Sequence, residues 1–109
     1  MRRDLARYFT KRDGAQSRVD FAYLRVGPTI TGTAYPKYYL WLTSKADSAV
    51  LSVGAARVAV IDGTAEVTNF LPAAYMRREP GSIDAVFPKP VATAIRQRLH
   101  LSDSAATRP

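Results

Sequence analysis

The chain contains no cysteine, which excludes disulfides, thiolate nucleophiles and cysteine-ligated zinc together. It has one histidine, His100. A lone imidazole holds a metal only where carboxylates converge on it, and no spacing of Asp or Glu around His100 suggests that. Long apolar runs are missing too. Nothing approaches the roughly 18 continuous apolar residues of a membrane span. Arg2 and Arg3 are followed by Asp4, Arg7, Lys11 and Arg12, not by the apolar core of a signal peptide. The chain as it stands is therefore expected in the cytoplasm, and outside it if a signal peptide has been removed.

Nucleotide-binding and RNA-binding signatures are also lacking. Gly27-Pro28-Thr29-Ile30-Thr31-Gly32-Thr33 has the glycine spacing of a phosphate loop, but Thr33 stands where lysine belongs and Pro28 removes an amide. A turn followed by a β bend explains it better. The aromatic and basic signature of an RRM does not occur. No catalytic set, metal site or cofactor is expected, and the reading leans away from an enzyme.

What remains is 109 residues, 47% hydrophobic, the size of one ordinary domain. Residues 1–101 read as a single α+β domain and 102–109, small and polar, as a disordered tail. The net charge is +7, unevenly spread. Residues 1–25 carry seven basic and three acidic side chains, residues 26–76 three of each, and residues 77–109 six and three. The centre is neutral and both ends are basic. Solvated helix faces account for such charge, and so does an anionic partner.

Periodicity divides the chain. Leu5, Tyr8 and Phe9 form an apolar stripe over 4–13, with Asp4 as N-cap, Lys11 and Arg12 in the last turn, and Gly14 as the left-handed stop. Alternation predicts a strand over 18–26, ended by Gly27-Pro28, and another over 37–43. In the latter, Tyr38, Leu40 and Leu42 face one way, Tyr39 and Trp41 the other. A strand apolar on both faces is covered on both sides or lines a cavity. Ser44–Ser48 reads as a polar turn. Asp62-Gly63 predicts a two-residue hairpin joining 49–61 to 64–70, with Arg57 and Glu66 as a diagonal pair. Helices are predicted near 72–78, after Ser82, and at 90–100, where Val91, Ile95 and Leu99 recur.

The resulting fold class is α+β. An N-terminal helix packs on a roughly four-stranded antiparallel sheet, in a cystatin-like or NTF2-like wrap, followed by short C-terminal helices. This fold class carries no function by itself.

Two surfaces qualify as sites. Tyr35, Lys37, Tyr39 and Trp41 form an aromatic-lined sheet face suited to a small ligand or a protein partner. Arg2, Arg3, Arg7, Lys11, Arg12, Arg96 and Arg98 form an alternative, nucleic-acid-binding set at the basic ends. A third reading, an NTF2-like enzyme, needs Asp20 or Glu66 inside a buried pocket. Exposed strand edges also make a homodimer plausible.

Three stretches carry a resemblance: Ala34-Tyr35-Pro36-Lys37-Tyr38-Tyr39-Leu40-Trp41, Gly54-Ala55-Ala56-Arg57-Val58-Ala59-Val60, and Val67-Thr68-Asn69-Phe70-Leu71 leading to Val86-Phe87-Pro88. Together they resemble a family of small uncharacterised bacterial proteins of unknown function, some made with export signals. The resemblance spans about residues 5–100 and implies no activity or site residue. It weighs towards action outside the cytosol and against nucleic acid.

Overall fold

The computed structural model describes residues 1–30 and 35–101. The bend expected at Gly32 and the tail 102–109 lie outside the described residues. The order of elements is helix α1 (Arg2–Asp13), strands β1 (Arg18–Tyr23), β2 (Lys37–Ala46), β3 (Ala49–Ile61) and β4 (Thr64–Pro72), then helices α2 (Ala73–Arg78), α3 (Gly81–Val86) and α4 (Lys89–Leu99). The strands form one open antiparallel sheet in the order β1-β2-β3-β4. The fold is α+β, with the N-terminal helix on the sheet and the short helices following it.

The sheet separates two apolar cores. Leu40, Ala56, Val58 and Val19 pack with Leu5 and Phe9 of α1 on one face. Tyr39 and Ala55 pack with Met76, Ile83, Phe87, Val91, Ile95 and Leu99 of the C-terminal helices on the other. This explains the doubly apolar β2: it is a central strand covered on both sides.

Helix α1 lies against both edge strands of the sheet, β1 and β4. Arg2 donates through its guanidinium to the Val19 carbonyl of β1. The Leu24 N–H donates to the Tyr39 carbonyl, so even-numbered positions of β1 bond to β2 and odd ones such as Val19 face outwards. On the opposite edge, the Ala65 N–H of β4 donates to Asp4 Oδ2 at 3.0 Å. The first turn of α1 thus covers one polar group on each free edge, where unpaired groups invite strand addition.

This geometry corrects the reading of Asp4 as the N-cap. Met1 occupies that position, and Asp4 is buried inside the first turn. The Ala65 N–H bond, helped by Arg7 and Arg3, holds the Asp4 carboxyl below its ordinary pKa against the opposing effect of burial. A folded-state pKa below the unfolded one stabilises the fold at pH values above the unfolded pKa. That stabilisation is lost as pH falls through the folded value. Replacing Asp4 with alanine leaves the Ala65 N–H without its acceptor. The melting temperature should fall by several degrees at neutral pH, and the gap to the wild type should narrow below about pH 4.

The far end of α1 is tied down equally. Asp13 is the last residue of the helix, and its carboxylate accepts from the Ser44 hydroxyl at 3.2 Å and the Ser52 hydroxyl at 3.1 Å. Ser44 and Ser52 are cross-strand partners. The expected turn over Ser44–Ser48 is therefore shorter: strand pairing continues to Ala46 and only Asp47 and Ser48 turn, with Asp47 at φ 55°. Gly14 does stop α1 in the left-handed conformation, at φ 75°.

The Asp62-Gly63 hairpin forms with Ile61 opposite Thr64 and Val58 opposite Val67. A bulge then inserts Thr68, so Arg57 lies opposite Asn69. Arg57 Nε donates to the Thr68 hydroxyl at 3.1 Å; this bond replaces the expected Arg57–Glu66 pairing. Strand 18–26 is also shorter than read, ending at Tyr23.

Candidate functional site

Helix α1 has one wet face. Asp4, Leu5 and Phe9 are buried against the sheet, while Arg2, Arg3, Arg7, Tyr8, Lys11 and Arg12 are exposed. Arg3, Arg7 and Lys11 recur every four residues, which sets successive side chains about 6 Å apart along one line. Both carboxylates of the helix turn inwards, Asp4 to Ala65 and Asp13 to the two serines. Arg7 reaches back to Asp4 at 3.0 Å but remains two-thirds exposed. The outer face is thus a cationic ridge with its own helix's acids removed to the interior.

Arg2 and Arg12 flank the ridge at its two ends. Arg2 stands over the Phe21 ring, 4.9 Å from the centroid, and pairs with Asp20 at 3.5 Å. Arg12 stands over the Phe70 ring at the same distance and bonds Asp13 at 3.1 Å. Both cations are held in place by aromatic faces and carboxylates. The structure therefore brings Arg2, Arg3, Arg7, Lys11 and Arg12 of the basic set onto one helix.

It separates the other two. Arg96 is buried in α4, its guanidinium forked onto Asp84 of α3. That hydrogen bond holds the Asp84 carboxyl below its ordinary pKa. Arg98 lies over the Trp41 ring at 5.9 Å, on the opposite side of the sheet from α1.

The four residues of the expected aromatic site are likewise divided. Tyr39 is 5% exposed and belongs to the core beneath the C-terminal helices. Its ring meets Phe87 edge-on at 6.1 Å, and its hydroxyl lies 3.2 Å from the Thr29 hydroxyl. Trp41 is half-buried against the same core. Tyr35 is exposed, and Lys37 Nζ donates to its carbonyl at 3.0 Å. Arg25, just past the end of β1, donates to the carbonyls of Gly27 and Pro28 at 3.1 and 2.8 Å. Its charge organises the turn that the glycine spacing marked.

The sequence places Tyr23 and Tyr38 among the same aromatics as Tyr35, Tyr39 and Trp41, but the structure sets them, with Phe21, in a separate group. Phe21, Tyr23 and Tyr38 share the α1 face of the sheet. Phe21 and Tyr23 meet at 5.6 Å between centroids, and Tyr23 and Tyr38 at 6.0 Å. Tyr23 is 51% exposed. The signal was present in the alternation, because Phe21-Tyr23 and Tyr38-Leu40 point the same way once β1 pairs with β2.

The carboxylates considered for acid–base work stand far apart: Asp20 on β1 and Glu66 on β4, at opposite edges of the sheet and both exposed. His100 caps α4 in the left-handed conformation at φ 58°. Among the described residues, no three His, Asp or Glu side chains group as metal ligands. No described helix is long and apolar enough to cross a membrane. The chain matches no protein-family model, no curated protein and no solved structure.

Proposed function

We propose that this domain is a non-enzymatic binding module that takes the phosphodiester backbone of a nucleic acid along the outer face of α1. One observation carries this reading. Arg3, Arg7 and Lys11 form a line of exposed cations, while both acidic side chains of the same helix face the sheet. A solvated face placed there only for solubility gains nothing from that segregation, because acids interspersed among the bases serve solubility as well. A polyanion does gain, since each neutralised phosphate releases condensed counterions. The aromatic face expected from the sequence, with Tyr39 and Trp41, lies under the C-terminal helices; a different group, Phe21, Tyr23 and Tyr38, lies on the ridge's side of the sheet.

The reading is tested by fluorescence anisotropy with a labelled oligonucleotide over a range of salt concentrations. Affinity should fall linearly with salt on logarithmic axes. The variant Arg3→Ala/Arg7→Ala/Lys11→Ala should bind more weakly, and its salt slope on a single strand should shrink by about 2. The three positions are exposed, so the melting curve should shift only slightly, through loss of the Arg7–Asp4 pair. An unchanged slope would remove the ridge from the interface. Equal affinity for anionic vesicles would reassign it to lipid head groups.

A further inference from the structure

We infer that the nucleic acid is single-stranded, with its bases stacking on Tyr23 and Tyr38, beside the Arg2-covered Phe21 ring, at the N-terminal end of the α1 ridge. The inference rests on the reading of α1 as the phosphate-binding surface and names the ligand's class.

This aromatic platform lies at the margin of the α1 cover, on the β1 side of the sheet, while the first turn of α1 reaches across to Ala65 of β4. Leu40 and Leu42 lie under the helix and are fully buried, whereas Tyr38 is half-buried and Tyr23 half-exposed. Core packing explains Phe21 in part; it leaves the outer ring, Tyr23, unused.

Aromatic rings in contact at one end of a cationic line supply what a single strand offers. Its phosphates run along the cations, and its unpaired bases present flat faces that stack on aromatic side chains with little regard to sequence. A duplex hides those faces in its own stack and offers only phosphates. Arg2 joins the two parts. Its guanidinium lies on Phe21 while anchored to Asp20 and the Val19 carbonyl, next in sequence to Arg3, where the ridge begins. Tyr38 is the diagonal cross-strand neighbour of Tyr23, whose direct partner is Leu40. The rings therefore belong to two paired strands, a rigid support for stacking.

The test compares three ligands of equal length by anisotropy: an oligothymidine, an abasic strand with the same phosphates, and a duplex. The abasic strand reports the ridge, and the difference between it and oligothymidine reports the platform. The wild type should prefer oligothymidine to the abasic strand by about tenfold or more. Tyr23→Ala should remove most of that preference without altering the salt slope, and Tyr23→Phe should keep it. Far-UV circular dichroism of both variants checks that the half-exposed position is not needed for folding. Equal affinity for the base-bearing and abasic strands would overturn the platform and leave the ridge standing. So would a Tyr23→Ala variant that loses duplex and single-strand affinity equally. If the abasic strand does not bind, or binds the triple ridge variant as well as the wild type, the phosphate reading fails and the platform with it.

Discussion

Replacing Gly54 with alanine is expected to lower stability by about 3 kcal/mol, the upper end of the usual range for overpacking. Gly54 lies in β3 between Leu42 of β2 and Pro72 of β4. A Cβ there would stand 2.9 Å from Pro72 Cα and 3.0 Å from the Leu71 carbonyl carbon, with the Leu71 oxygen closer still. All three obstacles are backbone atoms, so no side-chain rotamer relieves the clash. Relief requires β4 to move away from β3, and β4 carries both the Ala65 bond to Asp4 and the start of α2. The measurement is the urea midpoint, read together with an unchanged m-value. Gly81→Ala serves as the control: an added Cβ meets nothing at Gly81, in the first turn of α3. That substitution should be neutral or mildly stabilising.

Phe9→Ala should cost a similar or larger amount, about 3–5 kcal/mol. Phe9 is fully buried and meets Phe70 edge-on at 5.0 Å. It and Leu5 are the fully buried apolar residues of α1, with Ala6 and the preceding Met1 packed beside them in part, so α1 depends mainly on two side chains for its apolar docking. Against the ~5–15 kcal/mol typical of a whole domain, the loss is large. The functional consequence is specific: a loosened α1 no longer holds Arg3, Arg7 and Lys11 in register with the aromatic platform. Oligothymidine should then lose affinity more than the abasic strand does, even where thermal melting shows the variant still folded.

Local chemistry made most of the elements legible. The Asp62-Gly63 turn fixed the β3–β4 register because the geometry of a two-residue turn leaves little choice. Gly14, Pro90 and the Val91-Ile95-Leu99 stripe placed the helix ends and the buried face of α4 by the same kind of argument. The misreadings involve partners distant in sequence. Asp4 has the composition of a cap, but its acceptor oxygen serves an amide on β4. Ser44 has the composition of a turn, yet it is fully buried because Asp13 of α1 accepts its hydroxyl. Arg96 lies off the apolar stripe of α4, yet Asp84 on the neighbouring helix draws it inside. Polar residues in the interior look like surface residues until their partners are known.

The candidate site was legible in part for a related reason. The α1 cations occupy a single element, so their spacing alone puts them on one line. Alternation assigned Tyr39 and Trp41 to one face of β2 and Tyr38 to the other, but it cannot say how far each cover extends. The helices α2 to α4 close over the Tyr39 face. Helix α1 covers the other face only in part, leaving Tyr23 half-exposed. Which aromatics stay available is decided by where a neighbouring helix lies, and strand periodicity carries no information about that.

The attachment of α1 to both sheet edges also has a consequence for how the chain folds. Helix α1 comes first in the sequence, but its bond from Asp4 to Ala65 spans 61 residues. That closure joins the N-terminal helix to the fourth strand and carries a loop-entropy cost that the local hairpins avoid. The β3–β4 hairpin and the α3–α4 pair are close in sequence and can assemble early. The contact of α1 with β1 is local, but its contact with β4 must wait for the sheet, and until that closure forms the β4 edge stands open. The interval in which the domain is most prone to pair with its own copies therefore ends with the docking of the same helix that carries the binding ridge.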